Sequence, residues 1–193
     1  LNHGNALNNL DFDREIFGTL FVDKNNIELT GDLMVSGTLV VNASFAVTGD
    51  LTVPGSPGVI THDSEEAGSA LTVGGTLSIG IGGKVDLTGK GLMAGTSISP
   101  VTAQVESIHS SGSHCGGSNG GLGGCNGDQP DTYGSDRAPT QLGGGAVNGS
   151  YTAEGTIGGG AGGGAMHIEA TSLILDGQIL ANGEAGHDYG NDD

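Results

Sequence analysis

A six-residue repeat between Ile27 and Ser56 constrains the fold of this chain more than any other feature of its sequence. Five consecutive hexads keep one phase, with a large apolar residue first, Leu or Val third, and Gly or Ala fifth. The first positions are Ile27, Leu33, Leu39, Phe45 and Leu51, and the glycines at the fifth positions are Gly31, Gly37, Gly49 and Gly55. A repeat this short has room for one brief element and one turn.

Each hexad is typical of a three-residue strand followed by a corner. Alternation places the first and third side chains on one face of a strand, and glycine permits the backbone bend of a corner. The string Thr-Gly-Asp-Leu begins at Thr30 and again at Thr48, which indicates three hexads per coil. The pattern predicts an all-β fold, a parallel β-helix (β-solenoid) with about 18–20 residues per coil. A flat sheet or β-sandwich of short strands is the alternative, although sandwich strands are usually longer.

The repeat is interrupted after Ser56 and then returns. It resumes in the stretches 71–79 and 85–96, and again from Leu173 to Glu184. The interval from Leu51 to Leu71 predicts one coil with a small bulge, in which 62–66 is a solvated corner. The predicted organisation is a lead-in at 1–19, a hexad solenoid at 20–100, a glycine-rich loop region at 101–164 and a returning coil at 165–193. We expect that coil to continue in a longer protein.

Glycine is concentrated between the two parts of the repeat. Residues 101–164 contain 20 of the 40 glycines, so the stretch carries few side chains that could form a core. A disordered linker is one interpretation. The cysteines, prolines and Tyr133 within the stretch favour ordered loops in which glycine permits close approach of backbones.

Two strings in this part of the chain carry a resemblance. One runs from Ser113-His114-Cys115-Gly116-Gly117 to Leu142-Gly-Gly-Gly145, and the other from Gly158-Gly-Gly-Ala-Gly-Gly-Gly-Ala165 to Gly183. Both are similar to glycine-rich parallel β-helix modules of very large extracellular surface, filament and adhesin-type proteins. The resemblance implies a surface, matrix, filament or appendage role and transfers no catalytic residues.

The charge balance excludes several classes of partner. Acidic residues outnumber basic ones 22 to 5, giving a net charge of −17. Nucleic-acid binders need a basic surface to neutralise phosphates, so nucleic acid is not an expected partner. No apolar run approaches the roughly 18 residues of a membrane span, so membrane insertion is not expected.

Cys115 and Cys125 are the only cysteines, ten residues apart in a glycine-rich stretch. In an acidic chain that we expect to be secreted, such a pair most often forms a disulfide. A zinc site that adds His109 and His114 is the alternative, although no C-x-x-C spacing supports it. Two free thiols are a third interpretation.

Two further kinds of site are predicted. Asp128, Asp131 and Asp136 could gather oxygen ligands for calcium, but they match no calcium-loop pattern and solvated turns are the alternative. Asn42 and Asn148 begin N-x-S sequons and are glycosylation candidates. No other cofactor is expected.

The sequence favours a structural role over catalysis. No Ser-His-acid grouping can be drawn from the spacing, and the five basic residues are scattered. We therefore expect a non-enzymatic extracellular or cell-surface segment of a filament, sheath or appendage that self-associates by stacking of solenoid coils. The alternatives are an adhesin or glycan-binding module, for which Tyr133, Tyr151 and Tyr189 are the candidate aromatics, and a polysaccharide-active β-helix enzyme.

Overall fold

A computed structural model describes residues 14–24, 27–94, 96–98, 105–107, 117, 119, 132–135, 137, 139–146, 149–151, 155–157 and 159–186. Over these residues the chain is all-β and contains no helix. The strands are β1 Arg14–Ile16, β2 Thr19–Val22, β3 Ile27–Leu29, β4 Leu33–Val35, β5 Thr38–Val41, β6 Ser44–Val47, β7 Leu51–Val53, β8 Val59–Thr61, β9 Ala70–Ile79, β10 Lys84–Asp86, β11 Thr96–Ile98, β12 Val105–Ser107, β13 Gly149–Tyr151, β14 Gly155–Ile157, β15 His167–Leu175 and β16 Gln178–Leu180.

The chain divides into two compact units. Unit 1 consists of Leu1–Asp63, Gly68–Asp86 and Met166–Leu180, and unit 2 of Ser64–Ala67, Leu87–Ala165 and Ala181–Asp193. The short strands predicted from the hexads between Ile27 and Val53 correspond to β3–β7, each three or four residues long. They form because β-branched and apolar residues alternate there with residues that face outward.

Unit 1 contains two curled sheets in which all strand pairs are parallel. The seven-stranded sheet has the order β1-β4-β7-β9-β6-β3, with β15 also paired to β9. The five-stranded sheet has the order β16-β10-β8-β5-β2. Because β9 pairs β6 through its first half and β7 through its second half, it joins two series of strands into one sheet.

The registers agree with an 18-residue spacing only in the first part of the repeat. Leu33 pairs with Leu51 and Ile27 with Phe45, both 18 residues apart. Leu71 pairs with Phe45, whereas Leu51 pairs with Leu77, and both separations are 26 residues. The expected interval of 20 residues is therefore wrong, since Leu77 and not Leu71 pairs with Leu51. The segments before and after β8 are both longer than one hexad.

The first and third hexad positions supply most of the core of unit 1. Leu33, Leu39, Phe45 and Leu51 are buried, whereas Ile27 on β3 is only partly buried. The third-position residues Val35, Val41, Val47 and Val53 are also buried. Parallel pairing stacks these side chains into continuous apolar rows, which excludes water from one face of each sheet.

The hexad glycines are required for two different reasons. Gly31 has a φ of 97°, a conformation that L side chains rarely adopt. Gly37, Gly49 and Gly55 have no positive φ, so a left-handed backbone explains the glycine only at Gly31. At Gly49 an added Cβ would lie 2.8 Å from the Gly31 carbonyl carbon, so close stacking of successive corners excludes a side chain there.

Unit 2 is built largely from backbone packed against backbone. Gly143 N–H donates to Gly163 O at 2.8 Å, and Gly162 N–H donates to Leu92 O at 2.9 Å. Its two strand pairs, β11 with β12 and β13 with β14, are antiparallel. A small core of Leu92, Tyr133 and Leu142 packs against Ala165. The described parts of the glycine-rich stretch thus have the close backbone approach that the composition predicts.

Candidate assembly edges

The last strands of unit 1 expose apolar side chains that would be buried if another strand lay beside them. Leu173, Leu175 and Ile179 are 52%, 46% and 45% exposed. Their register partners Leu77, Ile79 and Val85 are buried, each with 1% exposure or less. Because these pairs share a register and a face, the difference arises from position at the sheet edge and not from residue type.

One row of side chains crosses the whole five-stranded sheet and illustrates this difference. We call it row B, and it consists of Leu20, Leu39, Ile60, Val85 and Ile179. Its three central members are fully buried. Its two ends, Leu20 on β2 and Ile179 on β16, are 41% and 45% exposed. Row B is therefore open at both sheet edges.

A second row crosses the seven-stranded sheet in the same way. We call it row A, and it consists of Ile16, Val35, Val53, Ile79 and Leu175, where Val35 and Val53 directly follow the paired residues Met34 and Thr52. The central members are fully buried, Ile16 is partly buried and Leu175 is exposed. Near the N-terminal ends of the rows, Phe17 and Phe21 are also exposed. Sequence reasoning missed this edge, although the large apolar residues Phe17, Leu20 and Phe21 shortly before the hexads are a signal for it.

Polar side chains link successive corners outside the rows. Asn42 Nδ2 donates to Asp23 Oδ1 at 2.9 Å and to Asp63 Oδ2 at 2.7 Å, and Asp63 N–H donates to Asn42 Oδ1 at 2.9 Å. Asp50 N–H donates to Asp32 Oδ1 at 2.8 Å, and Asp50 Oδ1 in turn accepts from Thr76 N–H at 2.7 Å. These side chains satisfy corner amides that the strand ladders leave unpaired.

The Asn42 contacts bear on the predicted glycosylation. A glycan would be attached at Nδ2, the atom that donates both hydrogen bonds to the carboxylates. Glycosylation at Asn42 would therefore replace one of these bonds, and it stays a prediction. Asn148, Cys115, Cys125, Asp128, Asp131 and Asp136 lie outside the described residues, so the disulfide, the calcium site and the second glycan stay predictions too.

His62 is fully buried, which corrects its expected place in a solvated corner. Its Nδ1 lies 2.6 Å from Asp63 O, and because a carbonyl only accepts, Nδ1 carries the proton. Nε2 of His62 and Oγ of Ser69 are both buried without a hydrogen-bond partner in the described part of the chain. The neighbouring Asp63, Ser64 and Glu65 are exposed as expected.

Unit 2 offers a cavity of about 250 Å³. Nine of its eleven lining residues are glycine or alanine, and the other two are Asn119 and Glu184. Asn119 Nδ2 is engaged with the carbonyls of Gln141 and Leu142, at 3.1 and 3.0 Å. A lining of this composition presents backbone amides and carbonyls more than side-chain functional groups.

Tyr133, a candidate for glycan stacking from the sequence, lies in the small core of unit 2. Its hydroxyl donates to Leu142 O at 2.8 Å. Burial raises the pKa of Tyr133 to about 12. The ring is therefore a core residue and not a solvent-facing platform, while Tyr151 and Tyr189 have no described side-chain environment.

Among the described residues, no three His, Cys, Asp or Glu side chains are grouped so that they could hold a metal ion. The same residues include no helix long and apolar enough to cross a membrane. Compared with family models, with curated proteins and with solved structures, the chain gives no match.

Proposed function

We propose that this chain is a structural, non-enzymatic segment of an extracellular filament, sheath or appendage, and that unit 1 is a β-solenoid that assembles by strand stacking. In this proposal β1-β2-β3, β4-β5-β6 and β7-β8-β9 are successive coils. Each strand of one coil pairs in parallel with its equivalent in the next, as in Ile16–Val35 and Leu20–Leu39. The long β9 fits as the point where one coil ends and the next begins.

The observation that carries the proposal is the exposure of Leu173 and Leu175 on β15 and of Ile179 on β16, the edge strands of the two sheets. Edge strands present unpaired N–H and C=O groups, and soluble proteins usually protect such edges with charged residues or bulges. Here the edge carries apolar side chains that continue buried rows. Addition of another strand would bury them and complete the ladder, which is the physical basis of strand-addition assembly.

The net charge of the chain supports rods that do not aggregate laterally. A net charge of −17 makes neighbouring rods repel one another at low ionic strength, while apolar ends still favour end-to-end contact. The extracellular location rests on the resemblance of the glycine-rich strings and on composition. Glycans and calcium stay candidate ligands under this proposal, but no contact among the described residues favours either.

Negative-stain microscopy, sedimentation velocity and fibre diffraction test the proposal. We expect concentration-dependent rods and a reflection at about 4.8 Å along the rod axis, the spacing between stacked strands. Ile179→Lys, which charges the open edge, should reduce the assembled fraction at least about tenfold. Ile81→Lys is the matched control because Ile81 is the most exposed large apolar residue of the described chain and lies in a turn.

Dispersed monomers of the unmodified chain at high concentration would overturn the assembly proposal. So would equal assembly by the Ile179→Lys and Ile81→Lys variants. Release of reducing sugars from a polysaccharide by purified monomer would favour the enzymatic alternative.

A further inference from the structure

Resting on the proposed function, we infer that the partner at the β15–β16 edge is the β1–β2 edge of a second copy, joined head to tail. Row B is exposed at both ends, and row A ends at the partly buried Ile16 on one edge and at the exposed Leu175 on the other. A second copy placed in this way would continue both rows without a break. Leu175 would meet Ile16 of the second copy, and Ile179 would meet its Leu20.

Strand direction supports this arrangement. Every strand pair in the two sheets of unit 1 is parallel, so β1 and β15 run the same way, as do β2 and β16. A translated second copy therefore presents β1 and β2 in the orientation that extends the existing ladders. Two C-terminal edges facing each other would instead require antiparallel pairing.

Burial also favours the head-to-tail contact over a symmetric one. The N-terminal edge exposes Phe21, whose register partner on β5 is Val40. A head-to-tail contact covers Phe21 and Ile179 in one interface. A two-fold contact between C-terminal edges would close the assembly as a dimer and leave Phe21 in water.

Disulfide trapping tests the register directly. Ile174 lies on the outward face of β15, and Glu15 lies at the corresponding outward position of β1. Within one chain β4, β7 and β9 separate these strands, so the two residues are about 19 Å apart at about 4.8 Å per strand. A disulfide requires Cα atoms within about 7 Å, so a bond between cysteines introduced at positions 174 and 15 must join two molecules.

Ile174→Cys and Glu15→Cys are made separately in a Cys115→Ser/Cys125→Ser background, mixed, and oxidised mildly. We expect at least about tenfold more disulfide-linked dimer than for Ile174→Cys mixed with Glu28→Cys, the matched control on β3 of the same sheet. If the cysteine-free background does not fold, a photo-crosslinking residue at position 174 of the otherwise unmodified chain, with peptide mapping by mass spectrometry, gives the same information.

The outcomes separate the inference from the proposed function. Rods that form without the 174–15 crosslink, or a predominant Ile174→Cys homodimer, would overturn the head-to-tail register and leave a stacking role intact. Absence of any assembly would overturn both. A crosslink that joins position 174 of one molecule to position 15 of another, and to no other position, supports the inference.

Discussion

The two units of this chain reach a packed state by opposite routes. In unit 1, parallel strands carry rows of Leu, Ile and Val side chains that are buried in the core, and glycine occurs at corners. In unit 2, neighbouring segments approach so closely that glycine lines the contact, and the buried apolar cluster has only three members among the described residues. The comparison shows that one abundant residue serves two purposes, in the tightly stacked corners beside a side-chain core and as the packing surface itself.

The two routes differ physically in the interactions that stabilise the folded state. Burial of apolar side chains stabilises by roughly 25 cal/mol per Å², so unit 1 can tolerate the loss of a corner contact. Glycine backbones bury little apolar area and lose more conformational entropy on folding. Unit 2 therefore depends on satisfied backbone hydrogen bonds, such as Ala146 N–H to Gly160 O at 2.9 Å. Substitutions that change side-chain volume should therefore affect the stability of the two units in different ways.

Leu39→Asp should have the largest effect and unfold unit 1. It places an unpaired carboxylate in the fully buried centre of row B, which should cost more than about 4 kcal/mol. Met34→Asp is the control, because Met34 lies on β4, the preceding strand in sequence, but is exposed. Circular dichroism and thermal unfolding provide the measurement. Comparable stability of the two variants would contradict the core described for unit 1.

Gly162→Ala should come second and act on unit 2. The added Cβ would lie 2.8 Å from Gly144 O and closer still to the Gly143 carbonyl, so the neighbouring backbone must move. We expect a loss of about 1–3 kcal/mol, visible as faster hydrogen exchange at residues 139–146 and 159–165.

Gly18→Ala is the matched control in unit 1. A Cβ at Gly18 meets nothing within 4 Å, and its φ is not positive. Its effect should stay within about 0.5 kcal/mol. If Gly162→Ala also changed the stability by no more than this amount, it would contradict the close backbone packing described for unit 2.

Tyr133→Phe should have a smaller effect of about 1 kcal/mol, because it removes one hydrogen bond and leaves the ring in place. Leu142 O keeps its second donor, Asn119 Nδ2. The hydroxyl also makes unit 2 sensitive to alkali. The pKa of Tyr133 is about 12 in the fold and 10.0 ordinarily, so the unfolded chain loses this proton first. The associated stability is complete below about pH 10 and is lost as the pH rises through about 12.

Absorbance at about 295 nm, taken as the difference between the unmodified chain and Tyr133→Phe, measures this titration. We expect the difference signal to have its midpoint near pH 12 if the protein stays folded. A midpoint near pH 10 in folded protein would contradict the burial of the hydroxyl.

His62→Leu should have the smallest effect and the opposite sign. It removes a buried Nε2 that has no partner among the described residues and fills the space with apolar atoms. The loss of the Nδ1 hydrogen bond to Asp63 O offsets part of the gain, so we expect stabilisation by up to about 1 kcal/mol. Chemical denaturation measures it, with His167→Leu as an exposed control. Destabilisation would indicate that the imidazole has a partner.

The local pattern predicts the strands well and the glycine contacts only in part. The hexad phase predicts β3–β7 and the burial of Leu33, Leu39, Phe45 and Leu51, since alternation depends only on neighbours in sequence. It does not distinguish Gly31, which needs a positive φ, from Gly49, which needs an absent side chain. That difference depends on a backbone that is distant in sequence.

The candidate assembly edges show the same limit. Leu173 and Leu175 fit the hexad as well as Leu77 and Ile79 do, yet two of these residues are exposed and two are buried. Exposure depends on whether another strand lies beside the residue, and a local pattern does not contain that information. The same reason explains why a sequence pattern places His62 in a solvated corner.

The sequence by itself determined the class of structure: short strands, small corners, and a glycine-rich stretch without enough large side chains for a core of its own. The tertiary structure decided which residues separated by 18 or 26 positions pair, which glycines contact another backbone, and where the apolar rows end. The physical reason is the distance along the sequence over which each effect acts. Backbone alternation and turn preference act over a few residues, whereas stacking, burial and edge exposure are set by strands that are distant in sequence.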